Sequence, residues 1–407
     1  MESVKRIGVI AATLVVLADV ADADIISDWN RKMVSAGVRA KAGAMQGRNA
    51  AIVHVAMFDA VNAIERRYTP YRVQPTAASG TSREAAAAAA AHFLLTRLYP
   101  DQVRDLDMFY RASLAAIPDG EPKSQGIQLG EKVAAEIFEW RAKDGADAPN
   151  TYRPYTAAGT YVPTALPSGF SMANTMPFAL KQGSQFRPGA PYALQSAQWA
   201  KDYNEVKTMG VARGSARSAE QSVIARFWEL PDPDIYAIVQ QLAAAKKLDV
   251  IETARLFALV AMTTADVRIA FYDAKYTYHF WRPVTAIRNG DIDDNDATER
   301  DPAWEPFRPT PMHPEYPCGH CVAAAAAAGV LEALFGDTVP TFTLTSPTAP
   351  GVRRSFIRLS DYVAEVTNAR VYGGMHYRTS GEVGAAMGRK IGEYTVQHYL
   401  KPVRQPD

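Results

Sequence analysis

The stretch SREAAAAAAAHFLLTRL, residues 82–98, is the segment that most clearly indicates the fold of this chain. Ser82 is a preferred N-cap residue, Glu84 suits the positive end of the helix dipole, and alanine has the highest helix propensity of all residues. The stretch therefore predicts a helix over residues 82–98. A second alanine run, residues 323–328, predicts a helix over residues 319–335.

Apolar residues recur with a helical period through most of the remaining sequence. Further helices are predicted over residues 26–39, 49–66, 103–115, 124–143, 197–208, 219–228, 234–246, 250–278, 354–371 and 381–399. Alternation with period two is scarce, and only residues 341–344 are predicted to form a short strand. The sequence thus predicts an all-α protein, with residues 24–407 as a single helical domain.

Composition allows a large core and excludes a broad surface for nucleic acid. The chain has 407 residues, 48% of them hydrophobic, and 44 Lys and Arg balance 43 Asp and Glu. Because no broad basic field exists, functional positive charge must be concentrated in a local site.

The first 23 residues have the pattern of a secretory signal peptide. Lys5 and Arg6 form a positive region, residues 7–18 are apolar, and Ala21-Asp22-Ala23 offers a cleavage site. A membrane anchor is the alternative, but the apolar stretch is short for a span. We therefore predict a secreted or periplasmic protein with no membrane insertion after cleavage.

Two long irregular stretches, residues 150–191 and 289–317, interrupt the helices. Loops of this length usually build a site or a lid. For residues 150–191, a lid and a partner contact both remain open. The acidic run at residues 291–296 lacks the spacing of an EF-hand, so a solvated turn is favoured over a calcium site.

Three short clusters in the last third carry the candidate chemistry. Lys275 and Arg282 are seven residues apart, so both are expected on one face of a helix that ends near Pro283. Ammonium and guanidinium groups suit an oxyanion. A solvated basic face is the alternative, although the neighbouring residues are strongly aromatic.

The second cluster, Cys318-Gly319-His320, precedes a predicted helix. Backbone N–H groups at a helix N-terminus bind anions, Gly319 permits close approach, and His320 could act as acid or base. A histidine without a ligand is the alternative. A thiol–disulfide oxidoreductase is disfavoured, because the Cys-Gly-His-Cys motif follows a Pro-rich run rather than a strand.

The third cluster pairs Arg370 with His376. On one continuous helix, side chains six residues apart point to different sides, but Gly373-Gly374 would break the helix and let His376 turn back. Together the clusters supply three cations, two histidines and a helix N-terminus. This set suits a phosphate- or vanadate-like anion, with one histidine at each end of its axis.

The spacings Lys-x6-Arg-Pro, Pro-x-Gly-His and Arg-x5-His resemble those of vanadium-dependent haloperoxidases and type 2 phosphatidic acid phosphatases. The longer strings WRPVTAIR, HPEYP, RVYGGMH and HVAMFDAVN, which begin at residues 281, 313, 370 and 54, resemble the soluble bacterial haloperoxidases. The resemblance implies a helical-bundle architecture with two four-helix bundles.

The resemblance also implies site roles. The residues that would bind the oxyanion are Lys275, Arg282, Cys318, Gly319 and Arg370. His376 would be the axial ligand of the vanadium in a vanadate cofactor, and His320 would be the acid–base group. Lys275 would polarise bound hydrogen peroxide, which oxidises a halide.

Two other functions remain open on the same scaffold. In a phosphatase, His376 would attack the phosphorus of a phosphomonoester and form a phosphohistidine, while His320 would protonate the leaving group. The third hypothesis is an oxyanion-binding protein without turnover.

Two positions qualify the resemblance. Cys318 stands where the family usually has Ser, and a thiol is a weak donor. A Cys318–Cys321 disulfide would remove that thiol, and both states remain open. His313 lies where several bromide-oxidising members have His, so the resemblance implies a preference for bromide over chloride. A loop histidine without that role is the alternative.

Overall fold

The computed structural model describes residues 24–43, 45–163, 165–230 and 235–403. The predicted signal peptide lies outside the described residues. In chain order the helices are α1 (Ile25–Arg39), α2 (Met45–Glu65), α3 (Arg83–Leu98), α4 (Val103–Ala115), α5 (Glu121–Arg141), α6 (Ala197–Met209), α7 (Ala219–Phe227), α8 (Ile235–Ala245), α9 (Val250–Tyr278), α10 (Pro283–Arg288), α11 (Gly319–Phe335), α12 (Leu359–Tyr372) and α13 (Arg378–His398). The two strands, β1 (Thr338–Thr345) and β2 (Arg353–Arg358), form an antiparallel hairpin.

The predicted all-α fold is confirmed, and the alanine runs form helices as expected. The Ser82 hydroxyl accepts a hydrogen bond from the Ala85 N–H at 3.1 Å, which caps α3. Both α9 and α11 have the predicted bounds. Within the described residues, no helix is long and apolar enough to cross a membrane.

The predicted helix over residues 354–371 is wrong in its first part, where β2 is found instead. Phe356 of β2 pairs with Phe342 of β1, and the two rings stack at 5.6 Å. Gly351 has a φ of 81° and helps turn the chain back between the strands. Cross-strand aromatic packing therefore outweighs the local helical pattern, and α12 begins only at Leu359.

Each alanine-rich helix packs closely against a helix with regularly spaced glycines. On α13, Gly384, Gly388 and Gly392 face α11, and a Cβ atom at Gly388 would collide with the carbonyl oxygen of Val322. In the same way, Gly130 of α5 lies against Ala86 of α3. Small residues on both sides let the backbones approach, and this sets where the N-terminus of α11 lies.

Two buried aspartates attach loops to long helices. Asp266 of α9 accepts hydrogen bonds at 2.7 Å from the N–H groups of residues 178, 179 and 180. Asp59 of α2 binds the N–H groups of residues 71, 72 and 73 in the same manner. Burial raises the pKa of each carboxyl to about 6. The first of these contacts holds residues 178–180, in the second half of the long 150–191 stretch.

The 150–191 stretch covers the C-terminal end of α9. The Tyr161 N–H donates to the His279 carbonyl at 2.6 Å, and the Trp281 N–H donates to the Gly159 carbonyl at 2.9 Å. The Ser168 N–H donates to the Met312 carbonyl at 2.8 Å, next to His313. This stretch therefore packs over two of the segments that the sequence analysis singled out.

We predict that Gly388→Ala destabilises the protein by about 1–3 kcal/mol, because the new methyl group overpacks the contact with α11. Helix propensity alone would give the opposite sign, since Ala is favoured over Gly by roughly 1 kcal/mol. Chemical denaturation measures the difference. The control is Ala386→Ser, at an exposed position on the same helix; equal stability of the Gly388→Ala protein and the wild type would contradict the packing argument.

Candidate oxyanion site

The first cluster is anchored to one buried segment, residues 313–315. The Lys275 ammonium donates to the carbonyl oxygens of Pro314 at 2.9 Å and Glu315 at 2.7 Å. The Arg282 Nε donates to the His313 carbonyl at 2.9 Å. Lys275 and Arg282 are almost fully buried, so this short segment holds both cations inside the protein.

The prediction that Lys275 and Arg282 lie on one face of a helix is wrong. Helix α9 ends at Tyr278, and His279 adopts a left-handed conformation with a φ of 51°. Arg282 is extended, with φ −80° and ψ 153°, and is the N-cap of α10. Pro283 disfavours helical geometry at the preceding residue, so the two cations converge through a turn rather than along one helix.

The Arg282 guanidinium lies between two imidazole rings. Its Nη1 is 3.0 Å from the His376 Nε2 and donates to the Met375 carbonyl at 2.8 Å. Its Nη2 is 2.9 Å from the His313 Nδ1. The structure thus brings together the first cluster, the third cluster and the proposed halide-selectivity residue.

In the third cluster, the chain turns back after α12 as the glycine pair predicts. Gly374 has a φ of 76°, and the His376 N–H donates to the Arg370 carbonyl at 3.3 Å. The Arg370 Nη1 donates to the Trp228 carbonyl at 2.7 Å. Its Nε is buried and has no hydrogen-bond partner among the residues that the structure describes. This nitrogen is an available donor inside the site.

Glu315 is the site residue to which the sequence analysis assigned no role. Its carboxylate Oε1 lies 2.7 Å from the His376 Nδ1 and accepts the Tyr377 N–H at 3.1 Å. The side chain is fully buried. The feature of the sequence that could have indicated Glu315 is its carboxylate in the Pro-rich string HPEYP, which lies between two clusters of cations.

The second cluster forms the start of α11. Gly319 is the first residue of the helix, and Cys318 is its N-cap. Cys318 and Cys321 form a disulfide with a Cα–Cα distance of 5.3 Å, and both are fully buried. The Cys318 Sγ accepts the Cys321 N–H at 3.3 Å. The sulfur therefore caps the helix as part of a disulfide, and no free thiol stands beside Gly319.

His320 lies in the first turn of α11 and is partly buried. Its Nε2 has no hydrogen-bond partner among the described residues, and the side chain lines a cavity together with Thr264, Tyr362 and Val366. Burial and the nearby Arg370 charge lower its pKa well below the usual histidine value. His320 is therefore neutral at pH 7 unless a bound anion raises its pKa.

The electrostatics of the site favour an anion. Burial lowers the pKa of Arg282 to about 10 and that of Arg370 to about 9, so both remain cations at neutral pH. Burial and the Arg282 charge lower the pKa of Lys275 well below its ordinary value. Burial raises the pKa of Glu315 to about 7. Bound negative charge would stabilise all three cations.

His376 is a neutral imidazole in this environment. Burial, followed by the charges of Arg282 and Lys275, lowers its pKa well below the usual value. A neutral imidazole has a lone pair on one ring nitrogen, which can bind a metal or attack an electrophile.

Comparisons with known proteins show which proteins this chain resembles. Residues 255–405 match the family model described as the VCPO second helical-bundle domain. The solved structure of a bacterial vanadium-dependent iodoperoxidase is 27% identical, with a TM-score of 0.74, and the match covers 88% of this chain and 92% of that one. The chain is therefore similar to vanadium haloperoxidases in both sequence and fold.

More distant haloperoxidases share the fold. The apo-type bacterial vanadium-dependent chloroperoxidase is 19% identical, with a TM-score of 0.70, over 86% of this chain and 92% of that chain. The vanadium chloroperoxidase of Curvularia inaequalis is 24% identical over 202 residues, which cover 41% of this chain and 32% of the fungal protein. The match thus spans about a third of the length of that curated relative. The similarity to these haloperoxidases indicates that the chain is an enzyme.

We predict that the unreduced protein contains no titratable thiol, whereas denaturation with a reductant releases two, from Cys318 and Cys321. In the double variant Cys318→Ser, Cys321→Ser, a hydroxyl donor replaces sulfur, so phosphate affinity should be equal or higher. Loss of the short cross-link should lower stability by about 2 kcal/mol. A thiol assay and calorimetric titration with phosphate measure these effects; two free thiols in the unreduced wild type would contradict the pairing.

Proposed function

We propose that this protein is an exported vanadium-dependent haloperoxidase that oxidises bromide with hydrogen peroxide. The observation that supports it most directly is the contact between the buried Arg282 guanidinium and the Nε2 of neutral His376. A cation beside an imidazole lone pair, with Lys275 on the same buried segment, suits an oxyanion whose central atom faces His376.

The residues present fit vanadate. Lys275, Arg282 and Arg370 would neutralise its oxygens, and the partnerless Arg370 Nε is a donor ready for one of them. The Gly319 N–H at the start of α11 would bind another oxygen. The Nε2 of His376 would be the protein ligand that holds the vanadate. When bound, vanadate would supply the Lewis-acid centre that activates hydrogen peroxide.

The chain's own side chains would manage charge and protons. Lys275 would polarise the peroxide by hydrogen bonding, as an ammonium whose pKa the bound anion raises. His320, with a buried Nε2 that has no partner among the described residues, would accept and return a proton at an oxygen of the bound anion. Both roles need the low-dielectric surroundings that burial provides.

His313 supports the proposed preference for bromide. Its Nδ1 contacts Arg282, and its ring lies edge-on to Tyr272 at 5.5 Å. In the haloperoxidases that the sequence resembles, His at this position accompanies oxidation of bromide and Phe accompanies oxidation of chloride. Because the structurally similar protein with 27% identity is an iodoperoxidase, iodide belongs in any test.

The proposed export is supported by two features. The signal-peptide pattern stands at residues 1–23, and a disulfide such as Cys318–Cys321 persists in oxidising compartments. After cleavage, residues 24–407 would form the exported protein.

A phosphatase is the second candidate, and the same His376 geometry favours it. A neutral imidazole whose Nδ1 contacts a carboxylate can attack phosphorus through Nε2, with His320 as the proton donor to the leaving group. Phosphate release without vanadate, inhibited by vanadate, would identify this activity. Anion binding without any turnover would instead identify the oxyanion-binding protein.

We predict vanadate-dependent bromination of a dye with hydrogen peroxide and bromide, and its loss in His376→Ala, because the variant lacks the imidazole that would hold the vanadate. The matched control is His398→Ala, at an exposed position outside the site, which should retain the activity. Initial rates with and without vanadate, and with added phosphate as a competitor, measure the effect. Bromination by His376→Ala at the wild-type rate would reject the role of His376 in holding vanadate.

We also predict that His313→Phe lowers the ratio of kcat/KM for bromide to that for chloride by about tenfold, or roughly 1.4 kcal/mol in activation free energy, because the resemblance associates Phe at this position with chloride oxidation. Steady-state kinetics with bromide, chloride and iodide give the ratios. An unchanged ratio would show that His313 does not select the halide.

A further inference from the structure

The Glu315 carboxylate contacts the ring of His376 although three basic side chains lie in the same site. Its Oε1 is 2.7 Å from Nδ1 of His376. Lys275 instead donates to main-chain oxygens, and Arg282 donates to main-chain oxygens and contacts two imidazoles. Among the described residues, the ion-pair contact of Glu315 is with His376.

The carboxylate is not needed to anchor its own segment. The Glu315 N–H donates to the Phe280 carbonyl at 2.8 Å, and its carbonyl accepts from Lys275 at 2.7 Å. Both main-chain groups of Glu315 are therefore held without the side chain. Burying a carboxylate is costly, and an apolar side chain would fill this position at lower cost. The carboxylate beside the imidazole therefore indicates a role other than packing.

The contact determines which ring nitrogen of His376 carries the proton. An ionised carboxylate is an acceptor, so when Glu315 is ionised the neutral imidazole bonded to it has its hydrogen on Nδ1. The lone pair is then on Nε2, which lies 3.0 Å from the Arg282 Nη1, on the side of the cations. With the opposite tautomer, Nε2 would carry a hydrogen and could neither coordinate nor attack an anion's central atom.

We propose that Glu315 is a positioning residue that holds His376 in the Nδ1–H tautomer and directs its Nε2 lone pair at the bound oxyanion. This proposal rests on the proposed function in taking the pocket as an oxyanion site, but it holds for vanadate and phosphate alike. Carboxylates that orient a ligating histidine commonly change ligand affinity by 10- to 100-fold when removed.

The first test uses the wild-type protein, so it does not depend on the folding of any variant. Nitrogen-15 NMR of histidine-labelled protein at pH 8, above the Glu315 pKa of about 7, distinguishes the two tautomers, and His376→Ala identifies the signals. We expect a protonated Nδ1 and an unprotonated Nε2 at His376. A protonated Nε2 with an unprotonated Nδ1 would overturn the proposal.

The second test measures anion affinity by calorimetry, with orthovanadate and inorganic phosphate as separate probes. In Glu315→Gln, whose amide can either donate or accept, we expect affinity for vanadate to fall 10- to 100-fold, with a mixture of His376 tautomers. Glu315→Asp keeps the carboxylate and should recover part of the loss. Unchanged tautomer and affinity in Glu315→Gln would overturn the proposal.

The matched control is Glu229→Gln. Glu229 forms an ion pair with Arg308, and its carbonyl is 3.4 Å from the Arg370 Nη1, but its side chain makes no contact with His376. This variant removes a negative charge close to the site, so it isolates the effect of charge from that of ring contact. We expect its His376 tautomer to remain that of the wild type. A tautomer change as large as in Glu315→Gln would overturn the specific role of Glu315.

The proposal and the proposed function can fail separately. If Glu315→Gln changes the tautomer and the vanadate affinity but the wild type oxidises no halide, the positioning role stands and the haloperoxidase proposal fails. If the wild type brominates but the Glu315→Gln tautomer, vanadate affinity and kcat all match the wild type, the positioning role fails alone.

Discussion

The buried segment His313-Pro314-Glu315 is the constraint on which the candidate site depends. Its three carbonyl oxygens accept hydrogen bonds from Arg282 and Lys275, and its carboxylate contacts His376. Hydrogen bonds to charged groups contribute roughly 1.5–3 kcal/mol each, so the segment offsets much of the cost of burying these cations. It also fixes where the cations and the imidazole lie relative to one another.

Close helix packing brings the remaining parts to this segment. The glycines of α13 allow its backbone to lie against α11, and a Cβ at Gly384 would stand only 2.8 Å from the Cys318 carbonyl. The Cys318 N–H donates to the Ser380 carbonyl at 3.2 Å, near the start of α13. The interface between α11 and α13 has no room for larger side chains at these glycines. The N-terminus of α11 and the turn that carries His376 are therefore neighbours.

Charge and protonation together define what such a site can hold. Cations without a matching set of carboxylates would be costly in a dry interior, and a bound oxyanion removes that cost. The two neutral histidines suit such an anion as well. His376 offers a lone pair for its central atom, and His320 can carry a proton to or from one of its oxygens. The haloperoxidase and phosphatase proposals use the same arrangement and differ in the anion that occupies it.

The sequence by itself determined the helical fold, most helix positions, the three clusters and the family resemblance, because alanine runs, caps and short motifs are local signals. Only the tertiary structure decided that Arg282 reaches the site from an extended turn, that residues 353–358 pair as a strand, and that Cys318 is joined to Cys321. It also decided that Glu315 contacts His376, 61 residues away in sequence. These outcomes depend on contacts between distant segments and on burial, and no local pattern of residues specifies either.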